Sequence, residues 1–239
     1  MLHIKDLILR DVLNFLDDVV TKTKGYDVYL GGGYLRDLYY NKINGFGDFR
    51  NYYVGEGINN QPMVPKDLDV FFIPKINEDI QELPALAKTY INYDVMAEDI
   101  PNVRENVKRV RGLFMKTLST RDVQFIVYDK SMSMRSLAED MDCNLNQVMY
   151  SPESELGYMT DDFTNSHEDK TIELLHEFET SRMIARLKRM EKKFPDYTLV
   201  HKIPQKEIDF YESKEEMEKR IKRRGTSTGS FISDEIEDF

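Results

Sequence analysis

An α+β fold is expected for this 239-residue chain: a small mixed or antiparallel sheet flanked by helices, followed by a helical C-terminal part. Three observations carry the expectation. Residues 27–31 read as a strand that turns through glycines into a short helix over 34–41. Residues 67–73 and 109–129 hold further runs rich in β-branched and aromatic residues, bounded by turn residues. From Asn165 onward, apolar residues recur at spacings of three and four.

Composition narrows the class. Apolar residues make up 41% of the chain, enough for a core, and charged residues 32%. No apolar run approaches the roughly 18 residues of a spanning helix, and the N-terminal residues lack a leader pattern. A cytoplasmic protein without membrane partners is expected. The single cysteine, Cys143, excludes an internal disulfide and a cysteine-based zinc site. The net charge of −10 argues against indiscriminate binding of nucleic acid, but leaves room for a local basic groove.

In chain order, Ile4, Leu7, Ile8, Val12, Phe15, Leu16 and Val19 predict an amphipathic helix over 4–22. The strand at 27–31 follows, then Gly31-Gly32-Gly33 and the 34–41 helix. Gly32 and Gly33 allow close backbone approach to a ligand. Arg36 falls on the first helical turn, beside exposed N–H groups and a positive dipole end. Residues 42–65, rich in Gly, Asn and Tyr, read as a loop, either a functional flap or an insertion without order.

Asp67 and Asp69 lie two apart on the 67–73 strand, so both project from one face, with Leu68, Val70 and Phe72 opposite. Two adjacent carboxylates resist ionising together. A divalent cation removes that cost, and hard oxygen ligands with open positions suit Mg²⁺ and substrate phosphates. An anion-binding turn facing a metal-binding strand suits nucleoside triphosphate chemistry.

Residues 78–98 read as helix interrupted at Pro84. Residues 109–118 and 122–129 read as two strands of a hairpin, and 131–141 as a short helix. Asp142 and Asn146, four apart, offer an acceptor and an amide on one side of a helical turn. Ser151 to Ser154 reads as a turn. Residues 170–194 read as one helix carrying Arg182, Arg186 and Arg189 on a stripe. Residues 205–224 read as another, ending in the basic run Lys219 to Arg224. Four of the last six residues are acidic, and the tail from Gly225 onward is expected to be flexible.

Gly32-Gly33-Tyr34-Leu35-Arg36-Asp37 followed by Lys66-Asp67-Leu68-Asp69 resembles the head domain of the tRNA CCA-adding enzyme and bacterial poly(A) polymerase family, within the polymerase-β-like nucleotidyltransferases. The likeness covers roughly residues 26 to 195. It implies a head domain over 1–150, a helical neck-like extension over 151–225 and a tail over 226–239. It also implies transfer of a nucleoside monophosphate from an NTP, ATP or CTP, to a hydroxyl acceptor, foremost an RNA 3′ end. Asp67 and Asp69 would be catalytic and would hold two Mg²⁺ ions. Gly32, Gly33, Arg36, Asp142, Asn146 and Arg182 would bind the nucleotide, and Asp37 would orient Arg36. Tyr150 matches the second motif of the family as well. Compact heads of this kind also occur in bacteriophages and as toxins.

The sequence departs from the family in two places. A third carboxylate is replaced by Gln124, with Asp122 as the alternative on the same strand face. The paired arginines before Asp142 are missing. A degenerate nucleotide-binding or structural protein, and a transferase acting on protein or a small molecule, therefore stand beside the leading expectation.

Overall fold

The computed structural model describes residues 3–46, 63–65, 67–75, 96–98, 107–114, 121–128, 130–175 and 180–214. The expected segments that lie outside these residues are the body of the 42–65 loop, most of 78–98, the basic run 219–224 and the tail.

The fold is α+β. Strands β1 (Tyr26–Gly31), β2 (Asp67–Pro74), β3 (Met96–Glu98), β4 (Val107–Phe114), β5 (Arg121–Tyr128), β6 (Val148–Ser151) and β7 (Leu156–Met159) form one mixed sheet. Its order is β3-β4-β5-β2-β1-β6-β7. Among the described residues, β2 and β5 are the one parallel pair within it; β1 pairs antiparallel with both β2 and β6. Helices α1 (Arg10–Lys22) and α2 (Gly33–Ile43) pack on one face. There Val12, Phe15, Leu16 and Val19 meet Leu68, Val70 and Phe72, so the even residues of β2 are the buried set the alternation requires. Helix α3 (Met134–Glu139), capped by Ser133, covers part of the other face. Its Leu137 and Ala138 join a second core cluster with Phe71, Ile73 and Ile126. Asp67 and Asp69 share a strand face with Phe71 and Ile73, but at the end of β2 where burial is incomplete.

Several expected boundaries move. The 4–22 helix is two pieces, a 3₁₀ turn at Ile4–Leu7 and α1, separated by extended backbone at Ile8 and Leu9. The break lets Ile4 lie against β7. A Cβ on Gly157 would come within 2.4 Å of the Ile4 Cβ, so only glycine admits this contact. Helix α2 runs to Ile43, two residues into the expected loop, and buried Asn41 pins the far end of that loop. Its amide donates to the Met63 carbonyl at 2.7 Å and accepts from the Met63 N–H at 2.6 Å. Residues 96–98, expected to be helical, form strand β3, which pairs antiparallel with β4.

The sheet also continues beyond residue 150, because β7 pairs with β6 through the Pro152–Glu155 turn. The chain does not stay helical from Asn165 onward, and the helix expected over 170–194 holds only in its later part. Helix α4 (Asp161–Glu168), capped by Thr160, stops at Lys170, whose φ of 51° is left-handed. Strands β8 (Thr171–Glu173) and β9 (Thr198–Val200) then pair in parallel on either side of helix α5 (Thr180–Lys193). Ile172 is β-branched and fully buried against Cys143, Leu145, Phe194 and Tyr197, and that packing selects strand over helix. A further helix, α6, covers 205–214. Among the described residues no helix is long and apolar enough to cross a membrane.

His167 of α4 packs among the rings of Tyr39, Phe163 and Tyr197, with Nδ1 2.9 Å from the Tyr197 hydroxyl. Burial, with Arg36 adding repulsion, pushes its pKa down to about 4. The unfolded chain binds a proton below its ordinary value near 6.5, whereas the native state binds one only below about 4. Stability is therefore lost as pH falls through that window, by about 3 kcal/mol in full. Urea unfolding at stepped pH should show wild type losing more stability than His167→Gln between pH 6.5 and 4. Parallel curves would refute the assignment.

Candidate functional site

The β1–α2 corner meets the start of β2. Antiparallel pairing sets Gly31 opposite Asp69. Gly31 is hemmed in, since a Cβ there would lie 2.2 Å from the Met149 sulfur. Gly32 has φ 67° and ψ −137°, backbone that L side chains rarely adopt. A Cβ on Gly32 would sit 3.2 Å from Asp69 Oδ2, so the missing side chain is what leaves the corner open toward that carboxylate. Helix α2 begins at Gly33, and among the described residues no side chain caps it. An uncapped helix start beside glycine is suited to an anion.

Gly32→Ala is expected to cost about 1–3 kcal/mol for the positive φ and to displace Asp69. Gly33→Ala should be milder, since the nearest atom to its new Cβ is Arg36 Nη2, at 3.3 Å on a long side chain. Unfolding midpoints of the two variants compare these effects; equal midpoints would rule the distinction out.

Asp67 and Asp69 are both half-buried. In the parallel β2–β5 register, Asp67 lies beside Asp122 and Asp69 beside Gln124. The Gln124 amide donates to Asp67 Oδ2 at 3.3 Å. Gln124 therefore does stand at the carboxylate pair, as an uncharged neighbour; the Asp122 side chain is outside the described residues. Among the described residues no group of three or more His, Cys, Asp or Glu side chains is arranged to hold a metal. The donor set present is two carboxylates, one of them accepting from the Gln124 amide. These are hard oxygens that fit Mg²⁺ when phosphate oxygens complete the shell.

Behind the corner lies a polar chain that the sequence only hinted at. Arg36 is 7% exposed and Asp37 1%. Arg36 Nε donates to Asp37 Oδ1 at 2.8 Å, and Nη1 donates to Asn146 Oδ1 at 2.8 Å. The Phe194 ring lies under the guanidinium, 5.5 Å away. Asn146 Nδ2 donates to Asp142 Oδ1 at 3.2 Å, and Arg186 Nη2 donates to the same oxygen at 2.6 Å. Lys193 donates to the other oxygen of Asp37.

Burial opposes ionisation of Asp37, but Arg36 and Lys193 outweigh it and hold the carboxyl below the usual carboxylate range. Burial pushes the Lys193 ammonium down to about 8, against the pull of Asp37. Asp67 favours the charged forms of both Arg36 and Lys193. Burial lifts the Cys143 thiol to about 11, which leaves it protonated and unreactive near neutrality.

No protein-family model matches the chain, and no curated protein matches it significantly.

The structure brings Gly32, Gly33, Arg36, Asp67 and Asp69 together. It joins Asn146 to Arg36, with Asn146 4% exposed and both ends of its amide used on neighbours, whereas Asp142 meets Asn146 and Arg186 through Oδ1 and stays 23% exposed along its side chain. Asn146 lies on a 3₁₀ turn, Asn144–Asn146. The Arg182 side chain is outside the described residues. Lys193 and Arg186 are the residues that sequence reasoning underweighted. Their spacing of seven on α5 places them on one helix face, which was a readable signal. Tyr150 is buried in β6 and packs in the core.

Proposed function

We propose that the protein is a metal-dependent nucleotidyltransferase that moves a nucleoside monophosphate from an NTP, ATP or CTP, to a hydroxyl acceptor, foremost an RNA 3′ end. The observation that carries this reading is the approach of Asp69 to the glycine corner, with Asp67 on the same strand face. The likeness to the CCA-adding and poly(A) polymerase family supports it in the same order along the chain.

Asp67 and Asp69 would hold two Mg²⁺ ions. Bound there, the cations supply charge neutralisation of the triphosphate and acidify the acceptor hydroxyl. Gly32 and Gly33 let phosphate oxygens approach the N–H groups at the start of α2. Arg36 offers its guanidinium from beneath that turn, held by Asp37 and Asn146. Asn146 would thus act on the nucleotide by fixing Arg36, while Asp142 holds Arg186 through Oδ1 and keeps partial exposure toward a ligand. Rate comes from positioning and charge, as phosphoryl transfer requires.

One observation favours a second reading, a nucleotide binder without turnover. Gln124 contributes an amide where the family supplies a carboxylate, so one negative charge is missing at the metal position.

The test is incubation with each labelled NTP, Mg²⁺ and a total RNA pool, beside Asp67→Ala/Asp69→Ala. Label in RNA that disappears in the variant upholds the enzyme. NTP binding without label in any product upholds the binder, and label in protein redirects the acceptor.

A further inference from the structure

We infer that Lys193 is a further polyphosphate-binding residue, forming with Arg36 a two-cation seat on the seam between α2 and α5 for the end of a triphosphate. This rests on the nucleotidyltransferase reading and names a residue that the family likeness does not supply.

Charge balance is the first reason. Arg36 Nε and Lys193 Nζ bond to the two oxygens of one carboxylate, Asp37. The two cations share one hydrogen-bonded counter-ion in a place where Asp37 is sealed from water and Lys193 is only 29% exposed along its side chain. Partly buried cations that divide one carboxylate between them gain from a further anion that can hydrogen-bond to both. Asp67 is the other anion whose charge acts on both cations, but its hydrogen-bond partner is Gln124.

Geometry is the second reason. Arg36 spends Nε and Nη1 on Asp37 and Asn146, while Nη2 makes no hydrogen bond among the described residues. Nη2 sits at the glycine corner, 3.3 Å from where a Gly33 Cβ would be. A planar fork with a spare edge reaches the corner beside an uncapped helix start, and the ammonium that shares its counter-ion lies behind it on Asp37. A polyphosphate chain, with several anionic oxygens in a row, is the ligand class that can meet them together. A monophosphate group would satisfy only part of the set.

The experiment is calorimetric titration of the full chain with a non-hydrolysable NTP, inorganic tripolyphosphate and the matching NMP, each with Mg²⁺. Wild type, Lys193→Ala, Lys193→Gln and Lys193→Arg are compared. Lys193→Gln keeps a donor for Asp37, and so guards against a variant that merely fails to fold. Lys193→Ala and Lys193→Gln should weaken NTP and tripolyphosphate about tenfold or more, with NMP unchanged and Lys193→Arg close to wild type. Unaltered triphosphate affinity in a folded Lys193→Gln overturns the inference while leaving the nucleotidyltransferase reading intact. If wild type binds neither NTP nor tripolyphosphate, that reading falls and the inference with it.

Discussion

Asp67→Ala/Asp69→Ala is expected to lower nucleotide incorporation by about 10³-fold or more, since losing several kcal/mol of transition-state charge stabilisation costs tenfold per 1.4 kcal/mol. The fold should survive. Both carboxylates sit where β2 is only half covered, and their removal relieves repulsion between like charges on one strand face. The even-numbered residues Leu68, Val70 and Phe72, which anchor the strand in the core, are untouched. Loss of label with an unchanged circular dichroism spectrum is the predicted pair of results. Incorporation within tenfold of wild type would mean that these aspartates do not organise the chemistry.

Asp37→Ala is expected to show the largest stability loss of any single change near the site, about 3–5 kcal/mol, the usual cost of stranding a buried charge. Asp37 is the shared counter-ion of Arg36 and Lys193. Without it, the Arg36 guanidinium remains 7% exposed, with Asn146 as its remaining strong acceptor. Lys193 is nearer solvent and contributes less.

Two measurements test this. Denaturant unfolding gives the loss directly, and Asp37→Ala/Lys193→Met should recover part of it if the cations are the source. The pH dependence has a definite sign. The folded-state pKa of Asp37 is depressed, so its stabilisation is present above the unfolded carboxylate value and is lost as pH falls through the folded one. The variant should lack that part of the acid limb. A loss below about 1 kcal/mol would place Asp37 among ordinary surface pairs and undo the account of the network.

Much of the site was legible because its chemistry is local. A strand has period two, so Asp67 and Asp69 had to share a face wherever the strand lay. Gly32 had to sit at a corner because strand and helix patterns abut there. Pattern reading failed in particular places. Spacings of three and four over 4–22 and 170–194 suited one long helix each. Packing of Ile4 on Gly157, and of Ile172 in the cluster around Phe194, broke both. Periodicity reports which residues prefer burial, but not which neighbour buries them.

By itself the sequence determined the α+β class, the strand that carries the paired aspartates and the glycine turn before α2, all set by interactions between near neighbours in the chain. Tertiary structure alone decided that Asp69 faces Gly32, that Gln124 touches Asp67, and that Lys193, 156 residues from Asp37, shares its carboxylate with Arg36. The reason is physical. A backbone period acts over a few residues and is written locally. A buried ion pair depends on which distant surfaces pack together, and no local pattern encodes that choice.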